Sequence, residues 1–178
     1  MKRLVLLLLL CACDPTSGAS VRKTFFADGK PWSEVHYARG KPDGPCKTWY
    51  ASGQQASVGG YKNGEQDGRW QRWHPNGELA TDAHYEDGLL DGAYDERWPT
   101  GQPRSHGIYK AGRCEGLWTG FDREGRKIIE GRYVEGEMDG IWSGWKHETG
   151  KQYYAVYAKG QIVTGEERKA VLHAAGLE

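Results

Sequence analysis

The sequence of 178 residues carries 24 basic and 24 acidic side chains, so its formal net charge is zero. Nucleic-acid binding depends on an excess of positive charge that displaces counterions from phosphates, and this balance argues against a nucleic-acid partner. Aromatic residues are frequent, with 8 Trp, 10 Tyr and 3 Phe, and few branched aliphatic residues remain beyond the apolar N-terminus. We therefore expect no thick globular core.

The N-terminus has the features of a targeting signal. Lys2 and Arg3 form a positive start, and residues 4–10 are an apolar run too short to span a bilayer as a permanent helix. The run ends in Leu10-Cys11-Ala12-Cys13, which resembles a bacterial lipobox. The resemblance implies that Cys13 is the lipidated residue. An ordinary secretory signal cut nearby is the alternative.

Lipidation would anchor the mature chain to a membrane through several acyl chains such as palmitate. We therefore expect a lipoprotein signal peptide over residues 1–12, and a lipidated cysteine with a flexible linker over residues 13–22. The expected location is the bacterial cell envelope. Asp14 resembles a signal that retains lipoproteins in the inner membrane of enteric bacteria, and the sequence leaves the choice of inner or outer membrane open.

A 24-residue period runs through the rest of the chain and predicts a repeat protein. Six tyrosines stand at this spacing: Tyr37, Tyr61, Tyr85, Tyr109, Tyr133 and Tyr157. Three glycine columns follow them. The first is Gly40, Gly64, Gly88, Gly112, Gly136 and Gly160; the second is Gly44, Gly68, Gly92, Gly116 and Gly140; the third is Gly53, Gly77, Gly101 and Gly125. Gly150 stands one residue late in the third column, which predicts a bulge or a longer turn there.

Glycine suits a backbone with positive φ, and Asn-Gly or Asp-Gly between hydrophobic runs is a strong hairpin signal. Each repeat therefore predicts two short strands and two turns, one ending at the third glycine column and one between the first two columns. The predicted fold is all-β: an elongated, twisted antiparallel β-meander of about five 24-residue β-hairpin repeats over residues 23–165.

A column of small residues lies two positions before the tyrosines: Val35, Gly59, Ala83, Gly107, Gly131 and Ala155. Such a column leaves room for a large ring on the neighbouring strand, and Trp70, Tyr94, Trp118 and Trp142 have the spacing to fill it. We expect these rings, packed over small residues, to replace an ordinary core.

A second aromatic column follows the first by three residues: Trp49, Trp73, Phe121 and Trp145, with Arg97 in the third repeat. The odd spacing places it on the opposite face of a flat strand, whereas a bulge would bring the two columns together. The sequence leaves both arrangements open. Because binding hot spots favour aromatic side chains, we predict these four rings as the binding face.

The pattern Tyr-x-x-Gly-x-x-Asp-Gly-x-Trp, clearest from Tyr61 to Trp70, resembles the MORN repeat variant. That family occurs in many bacterial envelope proteins and in some proteins described as antitoxins. The resemblance covers roughly residues 25–165 and implies a repeat fold. The third repeat departs from the pattern at Arg97, which interrupts the second aromatic column.

An acidic residue precedes each second-column glycine: Asp43, Asp67, Asp91, Glu115 and Asp139. A row of carboxylates could bind cations or a basic partner, but one repeat is too wide a spacing for two members to share a metal ion. We interpret them as turn residues. The histidines show no zinc-type spacing, and we expect no metal, cofactor or catalytic site. Cys46 and Cys114 lie nearly three repeats apart, which predicts free thiols.

The C-terminal residues have a different character. Thr164-Gly165-Glu166-Glu167 resembles a capping box, and Gly176 is a helix stop, so we predict a short helix within residues 166–178. Because an open sheet must protect its edges, we expect this helix to cover the last repeat. A docking helix for a partner is the alternative.

These features predict a non-catalytic, membrane-anchored repeat protein that serves as a protein-binding or scaffolding module at the bacterial cell envelope. The sequence names no convergent polar site of the kind catalysis needs. Two other functions remain open: the binding of cell-wall or surface glycan by exposed tryptophans, and an antitoxin or immunity function.

Overall fold

The computed structural model describes residues 6–8 and 18–177, so Cys13 and the predicted lipobox lie outside the described residues. The chain divides into two compact units, residues 1–90 and 91–178. Within each unit, consecutive strands pair antiparallel along the chain, and unit 2 ends in a short helix. The predicted all-β meander of hairpin repeats with a C-terminal helix is confirmed.

The strands of unit 1 are short and follow one another in the order of the chain. They are β1 (Leu6–Leu8), β2 (Ser20–Phe25), β3 (Pro31–Ala38), β4 (Lys41–Trp49), β5 (Gln55–Lys62), β6 (Glu65–Trp73) and β7 (Leu79–Glu86). β2 begins at Ser20, before the predicted domain boundary at residue 23.

Unit 2 begins within β8 (Leu89–Arg97) and continues the same pattern. Its other elements are β9 (Pro103–Lys110), β10 (Arg113–Phe121), β11 (Lys127–Val134), β12 (Glu137–Lys146), β13 (Lys151–Ala158), β14 (Gln161–Val163) and α1 (Gly165–Ala174).

The first glycine column forms two-residue hairpin turns. At each, the glycine and the residue before it have positive φ, as at Asn63 (53°) and Gly64 (100°) between β5 and β6. Positive φ at both central residues is the type I′ geometry, whose twist matches that of the flanking strands. The turn therefore lies at the first column itself, and its predicted position between the first two columns is wrong.

The second glycine column lies inside strands. Gly68 in β6 has a φ of 76°, and the register between β5 and β6 shifts there, from Val58 opposite Gln71 to Gly60 opposite Asp67. Extra residues on one strand of a pair form a β-bulge, which bends the strand and increases its twist. Similar shifts occur around Gly44, Gly116 and Gly140. The acidic-Gly pairs of the second column therefore mark bulges, because the turn is already complete at the preceding glycine column.

The third glycine column closes the other hairpins, as predicted. At Gly77, the His74 N–H donates to the Glu78 carbonyl at 2.8 Å, and the Gly77 N–H donates to the His74 carbonyl at 2.9 Å. Gly29 makes the equivalent turn between β2 and β3. This first member of the column was not predicted from the sequence, although Gly29 stands one period before Gly53.

The late glycine of the fifth repeat corresponds to a different turn. β12 and β13 stay in register to the pair Lys146–Lys151, without the shift found at the ends of the earlier hairpins. Gly150 then lies in a four-residue loop over residues 147–150. Of the two alternatives, the altered turn is correct.

The helix α1 packs against β13, the last long strand. Leu172 is fully buried, and the Arg168 guanidinium donates to the carbonyl of Tyr154 in β13 at 3.2 Å. β14 pairs with residues 156–158 of β13. The helix contact at Tyr154 therefore covers a part of β13 that lies outside this pairing. The predicted cover of the last repeat is therefore present. The predicted capping box is wrong, because Thr164 is the N-cap residue but its side chain makes no capping hydrogen bond.

Candidate functional site

The two faces of the sheet differ within each unit, and one of them, here called the ring face, carries the column tyrosines. In unit 1, Trp70 lies edge-on between Tyr61 and Tyr85, with ring centroids 5.1 and 6.4 Å away. In unit 2 the row runs Tyr94, Tyr109, Trp118, Tyr133, Trp142 and Tyr157, with successive centroids 5.0 to 6.4 Å apart. Edge-to-face packing at these distances is favourable beyond the area it buries.

The small-residue column gives these rings their space. A Cβ atom added at Gly59, Gly107 or Gly131 would lie 2.2, 2.1 or 2.0 Å from the ring of Trp70, Trp118 or Trp142. Trp70 and Trp142 are buried, and the Trp70 indole N–H donates to the Gly60 carbonyl at 2.9 Å. The predicted packing of rings over small residues is confirmed. The ring face is thus occupied by the core of the protein.

The ring row in unit 1 ends at different side chains. Cys46 stands one period before Trp70 and takes the position of the ring, where it pairs with Val35 and Gly59. Burial raises the pKa of its thiol. One period earlier, the guanidinium of Arg22 stacks on Tyr37 at 4.1 Å. Cys46 and Cys114 are both free thiols, as predicted.

The second aromatic column lies on the opposite face, here called the polar face. Phe121 contacts His106, which pairs with Thr119, the neighbour of Trp118 along β10. The Lys127 ammonium lies 5.3 Å from the Trp145 ring centroid and also binds Glu130 at 2.7 Å. Because Glu130 pairs with Thr119, these contacts belong to one face, opposite Trp118.

In unit 1, strand alternation places Trp49 and Trp73 on the polar face as well. The bulges near Trp49 and Trp73 place their extra residues on β5 and β7, the strands that follow β4 and β6. Side chains along β4 and β6 therefore still alternate between the two faces. Both faces therefore carry rings, which answers the question that the sequence left open. The four predicted binding-face rings are half-buried, as is Trp118 on the ring face, whereas Trp70 and Trp142 are buried. Their role in binding stays a prediction.

Between the aromatic column and the turns, the polar face carries ion pairs. Lys23 binds Glu34 at 2.8 Å and Arg69 binds Asp82 at 2.8 Å. These cations lower the pKa of Glu34 and Asp82 through hydrogen bonds, and Lys127 does the same for Glu130. A lowered pKa keeps a carboxylate ionised near neutral pH, so none of the three is suited to hold a proton for general acid catalysis.

The acidic row has a structural role that the sequence analysis did not identify. The carboxylate of Asp91 accepts the N–H of Ala111 at 2.9 Å, and Glu115 accepts the N–H of Glu135 at 2.9 Å. Each acceptor belongs to one repeat and each donor to the type I′ turn of the next. Asp91 and Glu115 thus cap the turn of the next repeat, and the predicted place of the acidic row in turns of its own is wrong because these residues precede the bulge.

One surface of unit 2 was not predicted. Ile108 and Leu117 are 51% and 56% exposed, and Val134 is 37% exposed. Strand alternation and pairing place all three on the polar face. His84 and Ala93 occupy the positions of Ile108 and Leu117 in the preceding repeat. This change to larger aliphatic residues was the sequence signal from which the surface could have been predicted.

The family model for the MORN repeat variant matches residues 21–39 and 66–87. The two matches end at the same point of the 24-residue period, each on the first residue of a type I′ turn, Arg39 and Asp87. In these two segments the chain carries the MORN repeat variant. No curated protein matches the chain. MORN repeats are typically protein- or membrane-binding modules and are generally not catalytic.

Within residues 6–8 and 18–177, no group of three or more His, Cys, Asp or Glu side chains is placed to hold a metal ion. In the same residues, no helix combines the length and apolar character needed to cross a membrane.

Proposed function

We propose that this protein is a non-catalytic binding module, anchored by lipid at the bacterial cell envelope, that holds a protein partner on its polar face. Trp49 and Trp73 form the contact rings of unit 1, and Phe121 and Trp145 form those of unit 2. The partner is an envelope protein, since the predicted lipobox would deliver the chain to that compartment.

The observation that supports this proposal is the division of aromatic residues between the two faces. On the ring face, Trp70 and Trp142 are buried as core. The polar-face rings are half-buried and lie beside charged groups, as Trp145 lies beside Lys127. Tryptophan and other aromatic side chains are enriched at protein interfaces and among their binding hot spots.

The anchor is tested through Cys13. Cys13→Ser should abolish incorporation of labelled palmitate and release the protein from the membrane fraction, because the thiol that carries the acyl chains is gone. Cys46→Ser is the matched control, since Cys46 is buried in the sheet, and it should leave labelling intact. Labelling that survives Cys13→Ser would contradict the lipobox.

The binding face is tested by crosslinking in the native cells, followed by purification and mass spectrometry. Trp73→Ala and Trp145→Ala should each reduce recovery of one specific protein about tenfold, because truncating a hot-spot ring commonly costs more than 1 kcal/mol. Tyr153→Ala is the control: its exposed ring lies over Gly144 on the ring face, and recovery should be unchanged.

Two other outcomes of the crosslinking experiment would contradict this proposal. A partner recovered equally with all three variants would place the contact elsewhere. Recovery of wall or surface polysaccharide in place of protein, lost with Trp73→Ala and Trp145→Ala, would favour the glycan-binding alternative.

A further inference from the structure

Two neighbouring hairpins of unit 2 form a shallow concavity on the polar face. The first joins β9 to β10 and the second joins β11 to β12, and the Gly136 N–H of the second donates to the Cys114 carbonyl of the first at 3.0 Å. The concavity has a volume of about 440 Å³, and it is lined by Lys110, Arg113 and Glu115 from the first hairpin and by Val134 and Glu135 from the second. The first hairpin therefore contributes two basic side chains and one acidic one.

The two hairpins carry opposite charges. In the first, Lys110 and Arg113 stand directly opposite each other across the strand pair. Like charges in this position destabilise a sheet, whereas the corresponding pair of the β5–β6 hairpin, Lys62 and Glu65, is complementary. In the second hairpin, Glu135 lies in the turn and Glu137 opposite Val134. A basic hairpin thus lies beside an acidic one.

Exposed apolar side chains lie with these charges on the polar face. Ile108 lies two residues before Lys110 on β9, and Leu117 lies on β10, the strand of the first hairpin that pairs with β11 of the second. Val134 pairs with Glu137 across the second hairpin. Exposed apolar side chains grouped with balanced charges of both signs are typical of a protein contact surface.

We propose that this surface binds a second copy of the same chain. A two-fold axis parallel to the strands and midway between the hairpins would place the hairpin ends of the two polar faces against each other. Phe121 and Trp145 lie toward the opposite ends of their strands. The basic hairpin of each copy then faces the acidic hairpin of the other, with Leu117 near the centre of the contact. An isologous interface must be complementary to itself, and a surface with one net basic half and one net acidic half meets that condition.

A second copy fits this surface better than an anionic membrane does. A membrane surface would attract Lys110 and Arg113 but repel Glu135 and Glu137, which lie on the adjacent hairpin. The apolar residues supply the affinity of the pairing, and the charges determine its orientation, since exposed ion pairs contribute mainly to specificity.

The experiment is a charge exchange in the full-length chain. Two differently tagged copies are co-expressed, extracted in mild detergent and purified through one tag, and the other copy is measured. Wild-type copies should co-purify. Lys110→Glu with Arg113→Glu should reduce self-pairing about tenfold or more, and so should Glu135→Lys with Glu137→Lys. When one copy carries the first double variant and the other carries the second, pairing should return.

Controls separate this pairing from folding defects and from general charge effects. Lys146→Glu with Lys151→Glu reverses another cross-strand pair at the far end of the hairpins and should leave pairing unchanged. Leu117→Asp should abolish pairing, while Ile162→Asp, which changes another exposed apolar residue of unit 2, should not. Restored pairing of the two charge variants requires both to be folded. Wild-type copies that do not co-purify, or charge variants that fail to restore each other, would overturn the proposal.

Discussion

Gly59 and Gly60 are neighbours in β5, yet the structure uses them differently. A Cβ atom at Gly59 would lie 2.2 Å from the Trp70 ring, whereas one at Gly60 would have its nearest neighbour, the Asp67 carbonyl oxygen, at 3.4 Å. Neither residue needs positive φ. The requirement for glycine at position 59 therefore comes from the space that Trp70 occupies.

This difference predicts unequal effects of the same substitution. Gly59→Ala should lower the free energy of unfolding by about 1 to 3 kcal/mol, because the methyl group must displace a buried ring. Gly60→Ala should change it by less than about 1 kcal/mol, since its methyl group meets near-ordinary contacts and alanine restricts the unfolded chain. Urea unfolding followed by circular dichroism measures both. A loss of stability for Gly59→Ala as small as that for Gly60→Ala would show that the Trp70 ring can move aside.

At the scale of single elements, the hairpin turns depend on the repeat before them. The turn that begins at Ala111 has its first N–H bound by the Asp91 carboxylate of the preceding repeat, so the two repeats are joined at their turns as well as along their strands. Ala111 has a φ of 47°, an unfavourable conformation for a non-glycine residue, and the carboxylate helps to hold it.

Loss of this cap should loosen the turn. Asp91→Ala should destabilise the protein by about 0.5 to 2 kcal/mol, the range for removing a side-chain oxygen that caps a backbone N–H. It should also speed hydrogen exchange at the Ala111 amide. Asp91→Asn keeps an oxygen at the same position and should retain most of the protection. Protection of Ala111 that is unchanged in Asp91→Ala would mean that the turn holds its shape without the carboxylate.

The elements also show where reasoning from sequence reached its limit. Asp67-Gly68 and Asn63-Gly64 look alike as turn signals, and only the pairing of β5 with β6 shows that the first is a bulge and the second a turn. A bulge and a turn both need positive φ, so glycine marks both. Thr164 likewise has the sequence of a capping residue without the hydrogen bond, because the bond depends on a rotamer that sequence does not reveal.

At the scale of the whole molecule, the tyrosines of the ring face link stability to pH. Burial raises the pKa of Tyr61 and Tyr133 above the usual value of 10.0, and burial together with the Cys114 thiol raises that of Tyr109. A raised pKa in the folded state means that the unfolded chain loses these protons first. The stabilisation is therefore complete below about pH 10 and is lost as the pH rises through the folded-state values.

The expected result is a free energy of unfolding that falls steeply above about pH 10. Phenolate absorbance should show that part of the tyrosine ionises only when the protein unfolds. Tyr109→Phe should reduce the steepness of the fall, since one shifted group is removed. Folded protein whose tyrosines all ionise near pH 10, with no loss of stability, would contradict burial of the row.

The period of 24 residues was sufficient to predict the all-β repeat fold, the presence of two turns in each repeat with the position of one of them, and the packing of rings over small residues. These features depend on spacing along the chain, and spacing is visible in a sequence. The tertiary structure alone decided which glycines lie in bulges, which face Trp145 and Phe121 occupy, and that Asp91 caps a turn twenty residues away. It also revealed the exposed apolar and charged surface around Leu117. Those features depend on register between strands, and register is set by pairing partners that the sequence does not name.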